Sequence, residues 1–183
     1  MCWPLSVAIK QTGMALRFVT KNNMTDYICR LAIEQNGYAV IYVPYYKQTD
    51  EIYKLALYQD SNTFEFIPKN RITYELCKIA VQQNGYLIDR IPKDKITNEL
   101  YEIAVNRDGI ALAYIPIKKR TYKICKLAVN NDGLALKFVP YHKQTDEIYR
   151  IAVRNNILAL DYVPINKSIY KICKIIMDGN NNV

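Results

Sequence analysis

The sequence predicts an all-α protein: an α-solenoid, or superhelix, of 24-residue helix–turn–short-helix repeats. Three observations carry that prediction. A small residue recurs at Ala8, Ala32, Ala56, Ala80, Ala104, Ala128 and Ala152, each 24 residues after the last, and the series ends at Ile176. Three further columns run in the same phase. They are Gly13, Gly37, Gly85, Gly109 and Gly133 (interrupted by Ser61 and Ile157); Pro44, Pro68, Pro92, Pro116, Pro140 and Pro164; and Thr25, Thr49, Thr73, Thr97, Thr121 and Thr145. Between these columns the apolar residues fall at helical spacing. Self-similarity at a fixed period of this length is the mark of a stacked array, in which each unit buries its apolar face only against its neighbours.

Counted from its Thr as slot 1, a unit reads T-x-E-[IL]-[CY]-K-[LI]-A-V-x-x-[ND]-G-x-A-L-x-[YF]-[VI]-P, followed by four loop residues. Apolar slots 4, 7 and 8 sit at i, i+3 and i+4, with slots 5 and 9 widening the stripe, so one helix face is greasy. Thr at slot 1 suits an N-cap, and the acidic residues at slots 2 and 3 suit the positive end of the helix. Asn/Asp-Gly at slots 12 and 13 is a stop signal, with the glycine expected in the left-handed conformation. The first helix is therefore predicted from about slot 2 to slot 12.

The second segment, as in LALKFVP (134–140) and IALAYIP (110–116), is too short for periodicity to separate helix from strand. Alternation at slots 14, 16 and 18 favours a strand. Ala at slot 15 and apolar slots 15, 16, 18 and 19 favour a short helix, and that is the expectation adopted. Pro at slot 20 ends either element. The alternative is a β/α solenoid resembling leucine-rich repeats.

The phase places a single array over 1–183: a truncated first repeat at 1–24, repeats starting at 25, 49, 73, 97, 121 and 145, and a C-terminal capping repeat at 169–183. The stretches VPYYKQTDEIYKLA (43–56) and VPYHKQTDEIYRIA (139–152) lie 96 residues apart, and so do the Gly-less positions Ser61 and Ile157, which points to duplication of a four-repeat block. Both ends read as caps. The first repeat lacks the Thr and begins with Trp3-Pro4. In the last, slot 8 becomes Ile176, as expected if the small residue serves the close approach of a following helix.

The core NG-x-AL-x-[YF] followed by T-x-E-I-x-x-LAV resembles an uncharacterised short helical-repeat family, abundant in mimivirus-type giant viruses and found in some bacteria. The resemblance covers essentially the whole chain and rests on packing residues. It implies paired helices stacked into a superhelix and brings no established activity, cofactor or catalytic residue.

Composition narrows the function classes. Half of the 183 residues are hydrophobic, enough for a core, yet no apolar run approaches the roughly 18 residues of a membrane helix. The start shows no secretory signal, so a cytoplasmic location is expected (host cytoplasm or virion if viral). Cys29, Cys77, Cys125 and Cys173 share slot 5, alternating with Tyr53, Tyr101 and Tyr149. Helices two repeats apart are about 16–20 Å distant. Neither a disulfide, whose Cα atoms lie within about 7 Å, nor a zinc site fits, so the thiols are expected to be buried packing residues. His142 is the only histidine and sits in a loop. The pairs Asp50–Glu51 and Asp146–Glu147 lie in first helical turns, where the helix dipole accounts for them. No catalytic residue, metal site or cofactor is expected.

The net charge is +8, and one feature of it is ordered. Slot 23 is cationic in six consecutive repeats: Lys47, Arg71, Lys95, Lys119, Lys143 and Lys167. A second row at slot 6, Arg30, Lys54, Lys78, Lys126, Arg150 and Lys174, is broken by Glu102. Further charge lies at Lys69, Lys93, Lys118 and Arg120. Such a ladder beside helix starts suits a phosphate backbone or an acidic segment, with Tyr45, Tyr46 and Tyr141 available to stack on bases. Nearby carboxylates oppose this by cancelling much of the field. The expected function is a non-catalytic scaffold for macromolecular interaction, with another protein as the first partner. Nucleic-acid or acidic-partner binding through the ladder is the alternative. Self-association through the ends, where IYKICKIIM (169–177) is apolar, is the third.

Overall fold

A computed structural model describes residues 3–164, with side chains from residue 5 onward. The fold is all-α, of the α-solenoid type, and among the described residues there is no strand. The β/α alternative is thereby excluded. The chain divides into two compact units, residues 1–83 and 84–183. The first holds α1 (Trp3–Gln11), α2 (Asp26–Gln35), α3 (Asp50–Gln59) and α4 (Tyr74–Gln83). The second holds α5 (Asn98–Arg107), α6 (Tyr122–Asn131) and α7 (Asp146–Asn155).

Within each unit there are two layers. In the first, α1 packs on α2, α2 on α3 and α3 on α4, and the short segments Gly13–Phe18, Gly37–Tyr42 and Ser61–Phe66 line up behind them. In the second, α5, α6 and α7 stack in order over Gly85–Arg90, Gly109–Tyr114, Gly133–Phe138 and Ile157–Tyr162. The short segment of one repeat packs against the long helix of the next, as Gly109–Tyr114 does on α6. Slots 4, 5, 8, 9, 15 and 19 supply the core between the layers: in one repeat these are Ile124, Cys125, Ala128, Val129, Ala135 and Val139, all buried.

The long helices begin as predicted. Thr25, Thr97, Thr121 and Thr145 accept the slot 4 N–H on Oγ1, at 3.2–3.3 Å. The short segments are helical but wound as 3-10 helices of six residues, from slot 13 to slot 18. The β-region residue that Pro requires before it closes them, as Val43 does with its N–H on the Val40 carbonyl at 3.1 Å.

The expectation for the glycines is wrong. Among the described residues no glycine has positive φ. The reversal is made at slot 12, whose extended backbone (Asn36 φ −156°, ψ 111°) starts the 3-10 helix, and whose side chain accepts the N–H two residues on. Glycine is needed instead because the next repeat comes too close for a side chain. A Cβ on Gly37 would stand 2.7 Å from the Ala56 carbonyl oxygen, and at Gly13, Gly85, Gly109 and Gly133 the space is smaller still.

This also reverses the reading of slot 8. Its small residue receives the glycine of the preceding repeat, not a following helix. Ala32, Ala80, Ala104, Ala128 and Ala152 are completely buried, whereas Ala8, against which no described glycine packs, is exposed. In the sequence, slot 13 is bulky at Ile157 and slot 8 of the following repeat is bulky at Ile176. Ile176 itself, Cys2, Cys173, Lys167, the 169–177 segment and the C-terminal cap lie outside the described residues.

Candidate partner-binding surface

The loop after each proline is itself a single turn. The carbonyl of slot 20 accepts the N–H of slot 23: Pro44 from Lys47, Pro68 from Arg71, Pro92 from Lys95, Pro116 from Lys119 and Pro140 from Lys143, all at 2.7–2.8 Å. Proline fixes the φ from which this turn departs, so each cation of the ladder starts from an equivalent backbone position.

The side chains then diverge. Lys47 Nζ meets the Asp26 carboxylate at 2.6 Å, which raises the lysine pKa and holds the aspartate below its usual range. Arg71 donates to the Gln48 main-chain carbonyl and lies 4.3 Å over the ring of Tyr45, whose hydroxyl pKa it lowers. Lys95 stands 3.5 Å from Asp94. Lys143 shares a hydrogen bond with His142 Nε2 at 2.8 Å. Lys119 is exposed and has no carboxylate partner among the described residues. Tyr45, Tyr46 and Tyr141 are all more than half exposed.

In the slot 6 row, Lys54 pairs with Glu51 of its own helix at 3.1 Å, and two further members pair across repeats. Lys126 reaches Glu147 of the next helix at 2.7 Å, and where Glu102 interrupts the row, Lys123 reaches back to it at the same distance. Tyr122 also donates to Glu147.

The feature that sequence reasoning missed is slot 24, just before the helix cap, and its coupling to slot 5. Gln48 donates to the Val40 and Val43 carbonyls at 3.3 and 2.9 Å and accepts from the Tyr53 hydroxyl at 2.8 Å. Gln144 does the same with Val139 at 2.9 Å and Tyr149 at 3.0 Å. Arg120 stands over the small Cys125. It donates to Ile115 at 2.7 Å, to Phe138 in the next repeat at 2.6 Å and to Ala113 at 3.1 Å. Met24 and Ile72 are apolar, buried, and paired with Cys29 and Cys77. Burial raises the thiol pKa of Cys29 and pushes that of Cys125 up to about 11, so these cysteines are protonated packing residues. The slot 5 alternation is thus matched at slot 24: polar plugs meet tyrosines, and apolar or folded-back side chains meet cysteines.

One repeat breaks this matching. Ile96 at slot 24 faces Tyr101 at slot 5. No amide fills the space here, and a groove of about 540 Å³ opens at the start of α5. Its floor is Ile88, Ile91, Ile96 and Tyr101, and its rim carries Lys93, Lys118, Lys119 and one carboxylate, Asp89. Two other cavities lie in the first unit. One, of about 310 Å³, contains the Lys47–Asp26 pair. The other, of about 700 Å³, lies between α1 and α2 beside Val7 and Tyr27. Among the described residues there is no cluster of His, Cys, Asp and Glu able to hold a metal ion, and no helix is long and apolar enough to cross a membrane.

Comparison with known proteins gives one match. Residues 122–167, just short of two repeats, are similar to a family described as a domain of unknown function, DUF4116. No curated protein and no solved structure matches the chain.

Proposed function

We propose that this protein is a non-catalytic repeat scaffold that holds another macromolecule, in the first instance a protein. The observation that carries this reading is the contrast between the core and slots 21–24. The packing slots repeat nearly unchanged. The turn after each proline presents different side chains from the same backbone: Tyr-Tyr-Lys-Gln at 45–48, Ile-Lys-Lys-Arg at 117–120 and Tyr-His-Lys-Gln at 141–144. Stacked repeats with varied residues on one recurrent turn bind by shape and by many weak contacts. The resemblance noted above adds a giant-virus setting, with the host cytoplasm or the virion as the place of action.

The alternative, nucleic acid tracked by the slot 23 ladder, is weakened by local neutralisation. Lys47 is committed to Asp26 and Arg71 to Tyr45 and a main-chain carbonyl. Cations free to meet an anion cluster instead around Lys119, which favours an acidic partner at one place over a phosphate backbone along many. Self-association into a larger assembly is the third reading.

Affinity capture from the native cell or infection, with mass spectrometry and nucleic-acid staining of the eluate, tests all three. A retained protein partner is the expected result. Recovery of nucleic acid alone, or of nothing but the chain itself, overturns the scaffold reading in favour of the second or third.

A further inference from the structure

We propose that the groove at the start of α5 binds an extended acidic peptide segment of a partner protein. An apolar side chain of the peptide rests on the isoleucine floor, a main-chain carbonyl accepts from the Tyr101 hydroxyl, and carboxylates meet Lys93, Lys118 and Lys119. This deepens the scaffold reading and rests on it.

The observation that points to a ligand is Tyr101. Its side chain is only 6% exposed, and its hydroxyl has no hydrogen-bond partner among the described residues. Tyr53 and Tyr149 occupy the same slot and give their protons to Gln48 and Gln144. Among the described residues no fully enclosed side-chain nitrogen or oxygen lacks a partner, so the Tyr101 oxygen is not sealed in; it opens onto the groove it lines. Burial raises its pKa, so it is a donor at neutral pH. A hydroxyl that faces a groove and has no acceptor in the protein is a donor that a bound carbonyl can take up.

The charge around it selects the partner. Lys93, Lys118 and Lys119 are exposed and have no carboxylate partner among the described residues, against the single carboxylate of Asp89. Two features favour a peptide over a nucleic acid. The floor is aliphatic, and Tyr114, the ring on the wall, is already in edge-to-face contact with Tyr86 at 6.1 Å.

The test uses the full chain and fluorescence anisotropy with three labelled probes: a peptide alternating leucine and glutamate, one alternating leucine and lysine, and an oligothymidylate of similar length. The leucine–glutamate peptide is expected to bind and the leucine–lysine peptide is not. Ile96→Gln should weaken binding by about tenfold or more, because it installs the plug that this chain already uses against Tyr53 and Tyr149; for the same reason it should leave unfolding unchanged or later. Tyr101→Phe should weaken binding about three- to tenfold with no loss of stability, and Lys118→Glu with Lys119→Glu should remove most of the affinity and its salt dependence. The proposal is overturned if the leucine–glutamate peptide fails to bind, if Ile96→Gln leaves its affinity intact, or if oligothymidylate binds and survives Ile96→Gln. Parallel capture from extract separates the two levels. A partner protein retained equally by the wild-type and Ile96→Gln chains keeps the scaffold and removes the groove. Loss of that partner only with Ile96→Gln supports both.

Discussion

Lys123 at the start of α6 reaches Glu102 in α5 at 2.7 Å, and one repeat later Lys126 in α6 reaches Glu147 in α7 at the same distance with the charges exchanged. Slot 6 is basic and slot 3 of the following repeat acidic in the second pair, and the reverse holds in the first. The single acidic interruption of the slot 6 row is therefore a swapped pair. At these two positions the row faces the neighbouring helix, leaving less of it for a ligand.

Exchanging the charges again should be tolerated, whereas breaking the pair should not. Lys123→Glu and Glu102→Lys alone each place like charges together and should lower stability by a few tenths of a kcal/mol; the double exchange should restore it. The coupling in a double-mutant cycle by urea unfolding is expected at up to about 1 kcal/mol, falling with added salt. Strictly additive single effects would separate the two residues energetically.

The glycine column tests the direction of stacking. Gly109→Ala and Gly133→Ala introduce a methyl group where the Ala128 and Ala152 carbonyls stand, and their φ values are already negative, so the backbone itself has no objection. Each should destabilise by about 1–3 kcal/mol in chemical denaturation, the usual range for overpacking. The Gly109 and Gly133 N–H groups donate to Asn131 and Asn155 of the next repeat at 2.7 Å, so any shift that relieves the clash also strains these bonds.

The three slot 5 tyrosines should behave differently on loss of their hydroxyls. Tyr53→Phe and Tyr149→Phe leave the Gln48 and Gln144 amide oxygens without their donor and should cost about 0.5–1.5 kcal/mol each. Tyr101→Phe removes a group with no protein acceptor among the described residues and should be neutral or slightly stabilising. Equal losses at all three positions would mean that the Tyr101 hydroxyl has a partner after all.

Alkaline pH should weaken the fold through its thiols. The Cys125 pKa is raised from about 9 when exposed to about 11 when folded, so the native state holds a proton that the unfolded chain releases. Its contribution to stability is complete below pH 9 and is lost as pH climbs towards 11, with a slope of about one proton at most. Denaturation midpoints measured across that window should fall, and less steeply in Cys125→Ala. The native thiol should also resist iodoacetamide at pH 8 until denaturant is added.

The period, the long helices, their threonine caps and the core columns were legible in the sequence because each rests on residues within one repeat. A 3.6-residue apolar stripe and a capping hydroxyl are local signals, and repetition amplified them until chance was excluded. The helical character of the second segment could be argued on the same basis, though its tight winding could not, since six residues do not reveal their pitch.

What only the tertiary structure decided lies across the junctions between repeats. The columns Gly13 to Gly133 and Ala32 to Ala152 were both plain, yet nothing in their spacing says that one presses on the other's carbonyl; glycine at a helix end is more familiar as a left-handed stop. The cations at slots 6 and 23 were visible as rows, and folding draws Lys47, Lys54, Lys95 and Lys126 into ion pairs, the last of them across a junction. The groove at Ile96 was invisible for the same reason. A missing plug has meaning only once Gln48 and Gln144 are seen filling the equivalent space, because a void is made by the neighbours around it and leaves no mark on any single residue.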